Sequence, residues 1–326
     1  MKVLFISSGN KKSGISPIVK AQGESLIKAN VGLNYYLIKG KGFKGYLKNL
    51  LSLRREIKNG NYDIIHSHYG DSTILAAIAN FNKVKFIASF MGSDIYLYKK
   101  KVNDYGNILT GIFFSLLFRI IARYITHEVI VKSHKMKSVL WRGSNITVLP
   151  NGVNMDIFKP LKHIAKQNTK SLWKILFIGD KNRPEKNYHL LDESVRLLKN
   201  DYNVEIINAV YMSQDKLNLE YNKAHVLVLT SDYEGSPNVI KEAMACNLPI
   251  VSTDVGDVKK VIGETLGCFI AKNNSIDFSE KLIMALQFGG YTKGRNRIIE
   301  LGLDLSDISN KLIELYHKFG LLDDIN

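Results

Sequence analysis

Short, unbroken apolar runs alternate along this chain with longer stretches in which apolar residues return every three or four positions. The runs fit strands buried on both faces of a parallel sheet. The longer stretches fit the helices that cross over between such strands. Strands are predicted at residues 3–6, 64–66, 86–90, 128–131 and 146–149, and again at 174–178, 204–208, 226–231 and 249–252. Helices are predicted over 18–29, 108–124, 190–198 and 307–319. This alternation predicts an α/β protein with two Rossmann-like, doubly wound domains facing a cleft. The pattern lapses over residues 160–169, which are polar and lysine-rich. The expected organisation is a first domain over 1–160, a linker over 161–170, a second domain over 171–305 and a terminal helix over 306–326.

The most apolar helix, residues 108–125, carries Arg119 and Arg123 and is short for a clean membrane span. A core helix is expected. The alternative is a helix lying on a membrane surface, with Lys99, Lys100 and Lys101 at the headgroups. The apolar run at 3–6 is too short for a signal peptide, and Cys246 and Cys268 are the only cysteines. A reducing, cytoplasmic setting is expected from both. Charge changes the picture more than composition does. Residues 1–155 hold 23 Lys/Arg against 7 Asp/Glu, whereas residues 156–326 hold 22 against 23, so the net +15 lies in the first half. That asymmetry speaks of an anionic partner: nucleic acid, anionic lipid or an acidic saccharide.

The densest chemistry follows the strand at 226–231, in Ser231-Asp232-Tyr233-Glu234-Gly235-Ser236-Pro237-Asn238-Val239-Ile240-Lys241-Glu242-Ala243-Met244-Ala245-Cys246. Gly235 is expected to take an unusual backbone angle, Ser236 to cap a helix and Pro237 to open its first turn. The N–H groups of Asn238 and Val239 would then lack helical partners and point at a bound anion, such as a diphosphate. Glu234 and Glu242 would repel that anion, so they are expected to accept hydrogen bonds from uncharged hydroxyls. A sugar nucleotide carries such hydroxyls on both sides of its diphosphate. The loop at 7–16, which includes Gly14, follows the first strand, where phosphates approach such sheets. It is not G-x-G-x-x-G, and no acidic residue follows at dinucleotide spacing, which argues against a dehydrogenase. His66 and His68 share a strand face but have no evident third metal ligand, so packing or acceptor contact is expected. No D-x-D triplet occurs, and no metal is expected.

The string from Ser231 to Cys246 closely resembles the E-x7-E region of retaining GT-B glycosyltransferases, glycosyltransferase family 4 in particular. Gly179-Asp180-Lys181-Asn182-Arg183-Pro184-Glu185-Lys186-Asn187 resembles the same family's cation loop, usually a Gly-Arg pair with a lysine several residues on. Lys186 matches that lysine. Asp180 stands where the arginine is usual, and Arg183 is the nearest guanidinium. The resemblance implies that Lys186 and Arg183 neutralise the leaving diphosphate, that Glu234 fixes the sugar and that Glu242 holds the ribose. Gly14, Gly179, Gly235, Ser236, Pro237, Asn238 and Val239 would surround the donor, with Tyr211 near the base. His68, Met91, Gly92 and Asp94 would lie on the acceptor and sugar side. At Met91-Gly92 the family usually reads His-Gly, with the histidine near the donor's 6-hydroxyl. Met91 offers no comparable hydrogen bond, which points to a 6-deoxy donor or to another reader of that position.

The resemblance further implies hexosyl or N-acetylhexosaminyl transfer with retention, without protein nucleophile, metal or cofactor. The donor would be a UDP-sugar and the acceptor a saccharide or a polyprenyl-diphosphate-linked glycan. The setting would be the inner face of the plasma membrane, in surface-glycan synthesis, and the terminal helix would cross back to the first domain. Two alternatives stay open: a nucleotide-sugar epimerase of the same fold, and a catalytically silent protein that binds a membrane surface. A nucleic-acid binder would explain the charge but leave the glutamates without a purpose, so no nucleic-acid partner is expected.

Overall fold

The computed structural model describes residues 1–10, 14–40, 42–81, 83–92, 94–95, 105–140, 145–161, 172–198 and 201–320. Lys99, Lys100 and Lys101, residues 162–170 of the expected linker, and residues 11–13 of the first loop lie outside them. The chain forms two units, Met1–Asn151 with Leu305–Asn326, and Gly152–Asp304.

In the first unit the strands are β1 (Lys2–Ser8), β2 (Gly32–Ile38), β3 (Ile64–His68), β4 (Lys85–Ser89), β5 (Glu128–Val131) and β6 (Ile146–Val148). They pair in parallel in the order β2-β1-β3-β4-β5-β6. Its helices are α1 (Pro17–Lys28), α2 (Gly42–Leu47), α3 (Leu50–Asn59), α4 (Gly70–Ala79), α5 (Tyr105–Tyr124) and α6 (His134–Lys137). Five successive buried residues in β1 show why it reads as an apolar run: both faces of the sheet are covered. Helix α1 instead buries Val19, Gln22, Gly23 and Leu26, the spacing of one helical face, with Pro17 pre-set for its first turn. A side chain at Gly23 would run into Tyr35 and Leu33 of β2, so glycine permits this close packing.

The second unit holds β7 (Trp173–Ile178), β8 (Val204–Ala209), β9 (Val226–Leu229), β10 (Ile250–Thr253) and β11 (Cys268–Ala271), parallel in the order β11-β10-β9-β7-β8. Its helices are α7 (Tyr188–Leu198), α8 (Gln214–Lys223), α9 (Asn238–Ala245), α10 (Val258–Ile262), α11 (Ser275–Phe288) and α12 (Gly294–Glu300). Its core packs α7 and α11 on β7 and β9, through Phe177, Leu191, Val228, Phe278 and Leu282. In each sheet the strand order reverses once: between β1 and β3, and between β7 and β9. Ligands of open α/β sheets bind beyond the carboxyl ends of the strands at such a reversal.

One boundary differs from expectation. Residues 152–160, expected in the first domain, and Leu161, expected in the linker, belong to the second unit. The Arg295 guanidinium donates to Phe158 O at 2.8 Å and Met155 O at 2.9 Å, and the N–H of Leu161 donates to Asn222 Oδ1 at 2.7 Å. Past Asp304 the chain returns to the first unit as α13 (Leu305–Gly320), which packs on α1. The Tyr316 hydroxyl of α13 lies 2.6 Å from His66 Nδ1 in β3. The apolar helix α5 is two-sided: Phe118, Ile121 and Ala122 are buried, whereas Leu116, Ile120 and Tyr124 are exposed. No helix among the described residues is long and apolar enough to cross a membrane.

Candidate functional site

The reversal in the second sheet brings together the two segments that the sequence marks. Strand β7 is followed by Gly179, whose φ of 149° is open to glycine and whose carbonyl accepts from Asn208 Nδ2 at 2.9 Å. A Cβ there would rest 3.4 Å from Cε of Lys186, so the lysine stem runs over this backbone. A single 3₁₀ turn, Pro184–Lys186, then carries the cation back toward β9. Three bonds hold that turn in place. Thr230 Oγ1 donates to Lys186 O at 2.8 Å, the N–H of Asp232 donates to Glu185 O at 3.0 Å, and Asn187 Nδ2 donates to Asp232 Oδ1 at 3.0 Å.

Lys186 Nζ donates to Glu234 Oε1 at 2.6 Å, and Ser231 Oγ donates to the same oxygen at 3.0 Å. The two charged side chains are only 16% and 21% exposed. A pair this withdrawn from water survives because each charge satisfies the other. Arg183 is exposed and paired with Glu185, to which its Nε donates at 2.9 Å. Burial raises the Glu185 carboxyl, but its own backbone N–H and Arg183 outweigh that, and the net shift is downward.

Glu242 leaves the second turn of α9 and meets Tyr221 of α8, whose hydroxyl donates to Oε2 at 2.7 Å. Burial pushes the Glu242 carboxyl up to about 7, against the Tyr221 hydrogen bond and the charge of Lys241, which lower it. Tyr221 is fully buried and has no sequence signal beyond its place in a polar helix.

The start of α9 differs from the expected cap. Pro237 is the N-cap residue, Asn238 the first helical one, and no side chain caps the turn. Ser236 is engaged elsewhere: its hydroxyl donates to Asp257 Oδ2 at 2.6 Å and accepts from the buried Lys241 Nζ at 2.5 Å. Burial lowers the Lys241 ammonium, while Asp257 and Glu242 oppose that shift. Nor does Gly235 carry the left-handed angle. That falls to Gly256, φ 56°, where a Cβ would meet Gly235 O at 2.5 Å. Among the described residues, Asn238 Oδ1 is buried without a partner, and the N–H groups of Asn238 and Val239 meet no acceptor. Tyr211 follows β8 with φ 56° and is 85% exposed.

In the first unit the expected residues gather at the carboxyl ends of β1, β3 and β4. Gly14 has φ 74° and open space on its Cβ side. Tyr69, φ 69°, turns the chain sharply from β3 into α4. His68 is a packing residue: it is fully buried, lies against Phe5, and stacks on His66 at 4.3 Å between centroids. Among the described residues its ring nitrogens have no hydrogen-bond partner. Burial holds both imidazoles well below their usual range, and the charge of buried Lys132 adds to it. Asp94 is buried as well, its carboxylate accepting from the N–H groups of Met91 at 3.1 Å and Gly92 at 2.8 Å. It therefore shapes the Met91-Gly92 turn. Met91 is half-buried, and Gly92 has φ 125°.

Comparison with known proteins agrees with this architecture. Residues 146–287 match the family model for glycosyl transferases group 1, and residues 21–157 match that for glycosyltransferase family 4. An uncharacterized glycosyltransferase from Methanocaldococcus jannaschii is 26% identical over 259 residues, 74% of this chain and 72% of the relative. The fold is shared with a sucrose-phosphate synthase from Thermosynechococcus elongatus, at TM-score 0.76 and 16% identity, over 99% of this chain and 100% of that one. It is also shared with Anabaena HepE in complex with UDP, at TM-score 0.73 and 14% identity, over 98% and 100%.

Proposed function

Because the chain is a glycosyltransferase of GT-B architecture, we propose that it moves a hexosyl or N-acetylhexosaminyl group from a UDP-sugar to a saccharide or polyprenyl-diphosphate-linked acceptor. The observation that carries this reading is the Lys186–Glu234 pair at 2.6 Å, set at the reversal of the second sheet beside the unfilled N–H groups of α9. Complexes of HepE with UDP and with UDP-glucose support the choice of donor.

A diphosphate arriving at the start of α9 draws Lys186 off Glu234, since a dianion outbids a single carboxylate for the ammonium. Glu234 is then free to accept from sugar hydroxyls. Glu242, already aimed by Tyr221, accepts from the ribose. Leaving-group charge develops against Lys186 and the helix N–H groups, which are in place before reaction. The acceptor hydroxyl attacks from the face the diphosphate leaves, and the diphosphate takes its proton. The anomer is retained, and no protein nucleophile, metal or cofactor is required. Arg183 joins Lys186 by exchanging Glu185 for phosphate oxygen.

The acceptor belongs to the basic first unit, at the cytoplasmic face of an anionic membrane, in surface-glycan synthesis. Met91 in place of a hydrogen-bonding residue favours a 6-deoxy donor. Turnover of a panel of nucleotide sugars, with NMR of the product anomer, tests the reading. Retained configuration and a kcat loss of about a hundredfold or more in Lys186→Ala are expected. Inverted product, or Glu234→Gln with unchanged kcat/KM, would overturn it. Clear preference for UDP-glucose over its 6-deoxy counterpart would remove the Met91 assignment.

A further inference from the structure

Helix α4 packs between α3 and α5, and side chains of all three share one core cluster on one face of the first sheet. The other side of this layer looks outward and is unusually apolar. Leu51 on α3 is 67% exposed, Phe81 just past α4 is 62% exposed, and Leu116, Ile120 and Tyr124 form an exposed stripe at every fourth residue of α5. Leu47 and Ile78, also exposed, line a mainly apolar cavity of about 310 Å³ between α2 and α4. Single exposed apolar residues are ordinary, but a set spread over one helical layer marks a contact surface.

The charge on this layer identifies what it contacts. Lys48, Arg54, Arg55, Lys58, Lys83 and Arg123 are all exposed. The Arg54 guanidinium sits 3.9 Å from the Phe81 ring centre, so cation and aromatic share one patch. The acids nearby are few. Glu56 accepts the Tyr62 hydroxyl at 2.5 Å, and Asp71 lies at the rim of the cavity. Apolar side chains framed by lysine and arginine suit a surface with acyl chains beneath anionic headgroups. A second copy of the chain would bring the same cations against themselves.

We propose that the outer face of the α3–α4–α5 layer rests on an anionic lipid bilayer, with Leu51, Phe81, Leu116 and Ile120 entering the acyl boundary and the surrounding cations at the headgroups. The helices lie on the bilayer and do not cross it. This deepens the acceptor reading above, but vesicle binding is measured without donor or acceptor, so the two fail separately.

Flotation with phosphatidylcholine vesicles, alone or mixed with phosphatidylglycerol, tests it on the full chain. The wild type is expected to float with the mixed vesicles only and to be released at high salt. Leu116→Asp with Ile120→Asp should lower flotation at least tenfold. Lys48→Gln, Arg55→Gln and Lys58→Gln together should lower vesicle affinity by roughly a hundredfold, at the usual contribution of a cation near an anionic surface. That charge variant touches no core residue and carries the test if the aspartates impair folding. Melting temperature with and without UDP should be the same in the charge variant and the wild type. Equal flotation on both vesicle types would overturn the proposal. So would charge variants that float like the wild type, or a dimer by size exclusion that the aspartate variant abolishes.

Discussion

At the scale of single residues, Glu242 holds its proton more tightly in the fold than in the unfolded chain, its carboxyl raised by burial from 4.5 to about 7. Its contribution to stability is complete below about pH 4.5 and is lost as the pH climbs through 7. Donor binding runs the other way, because ribose hydroxyls donate best to the ionised carboxylate. On the proposed ribose role, we expect the Kd for a UDP-sugar, whose diphosphate does not titrate here, to fall by up to about tenfold per pH unit as the pH rises toward 7 and to level above it. Glu242→Gln should flatten that slope. Calorimetric titration between about pH 5.5 and 8.5 reads both, and a wild-type Kd indifferent to pH would contradict the assignment. The glutamates are legible because they share one short loop-and-helix string, and Lys186 because its loop resembles the family's cation loop, but the contact between Lys186 and Glu234, 48 positions apart, is not legible. Tyr221 is not, because it reaches Glu242 from another helix, 21 positions away. For His68 the sequence leaves packing and acceptor contact open, and only its burial against Phe5 and His66 decides for packing.

At the scale of elements, the backbone before α9 is shaped by Gly256, which lets the loop after β10 pass against Gly235 O and Glu234 O. Alanine at 256 combines a positive φ with that close contact. We expect Gly256→Ala to cost about 1–3 kcal/mol in urea unfolding and to weaken UDP binding more than Gly235→Ala does. Equal effects at the two sites would show that the approach matters less than the geometry suggests. The expectation of an unusual angle at Gly235 was one contact away: the strained turn lies on the partner loop. Ser236 likewise looks like a cap in sequence, but in the fold its hydroxyl bridges Lys241 and Asp257. Buried strands such as β9 are legible because both faces are covered. Strand β2, an edge strand with Asn34 exposed and Tyr35 and Tyr36 only partly covered, carries no clean period and is not predicted.

At the scale of the whole molecule, the second unit is an insertion within the first, since Leu305 onward returns to the unit that residues 1–151 began. Ending the chain at Asp304 removes Leu312 and Tyr316, both fully buried, and leaves His66 Nδ1 without its hydroxyl partner. The lost aromatic burial alone is worth about 3–5 kcal/mol. We expect differential scanning calorimetry of that truncation to show the first unit's transition shifted down or lost. The transition that UDP raises should stay in place. A uniform shift of both would mean the terminal helix supports the molecule in some other way. Domain class and the two-part division are legible from the alternation of runs. The boundary at 151/152 is not, because Arg295, which claims the carbonyls of Met155 and Phe158, lies some 140 positions downstream.

The return of α13 has a consequence in time. His66 leaves the ribosome 250 residues before the Tyr316 that completes its hydrogen bonding. At roughly 5–20 residues per second, that is a wait of about 12–50 s. The second unit is complete in the nascent chain before the first one is. On the proposed function, donor-binding capacity should therefore arise while the first unit still waits for α13, which packs on α1, to emerge.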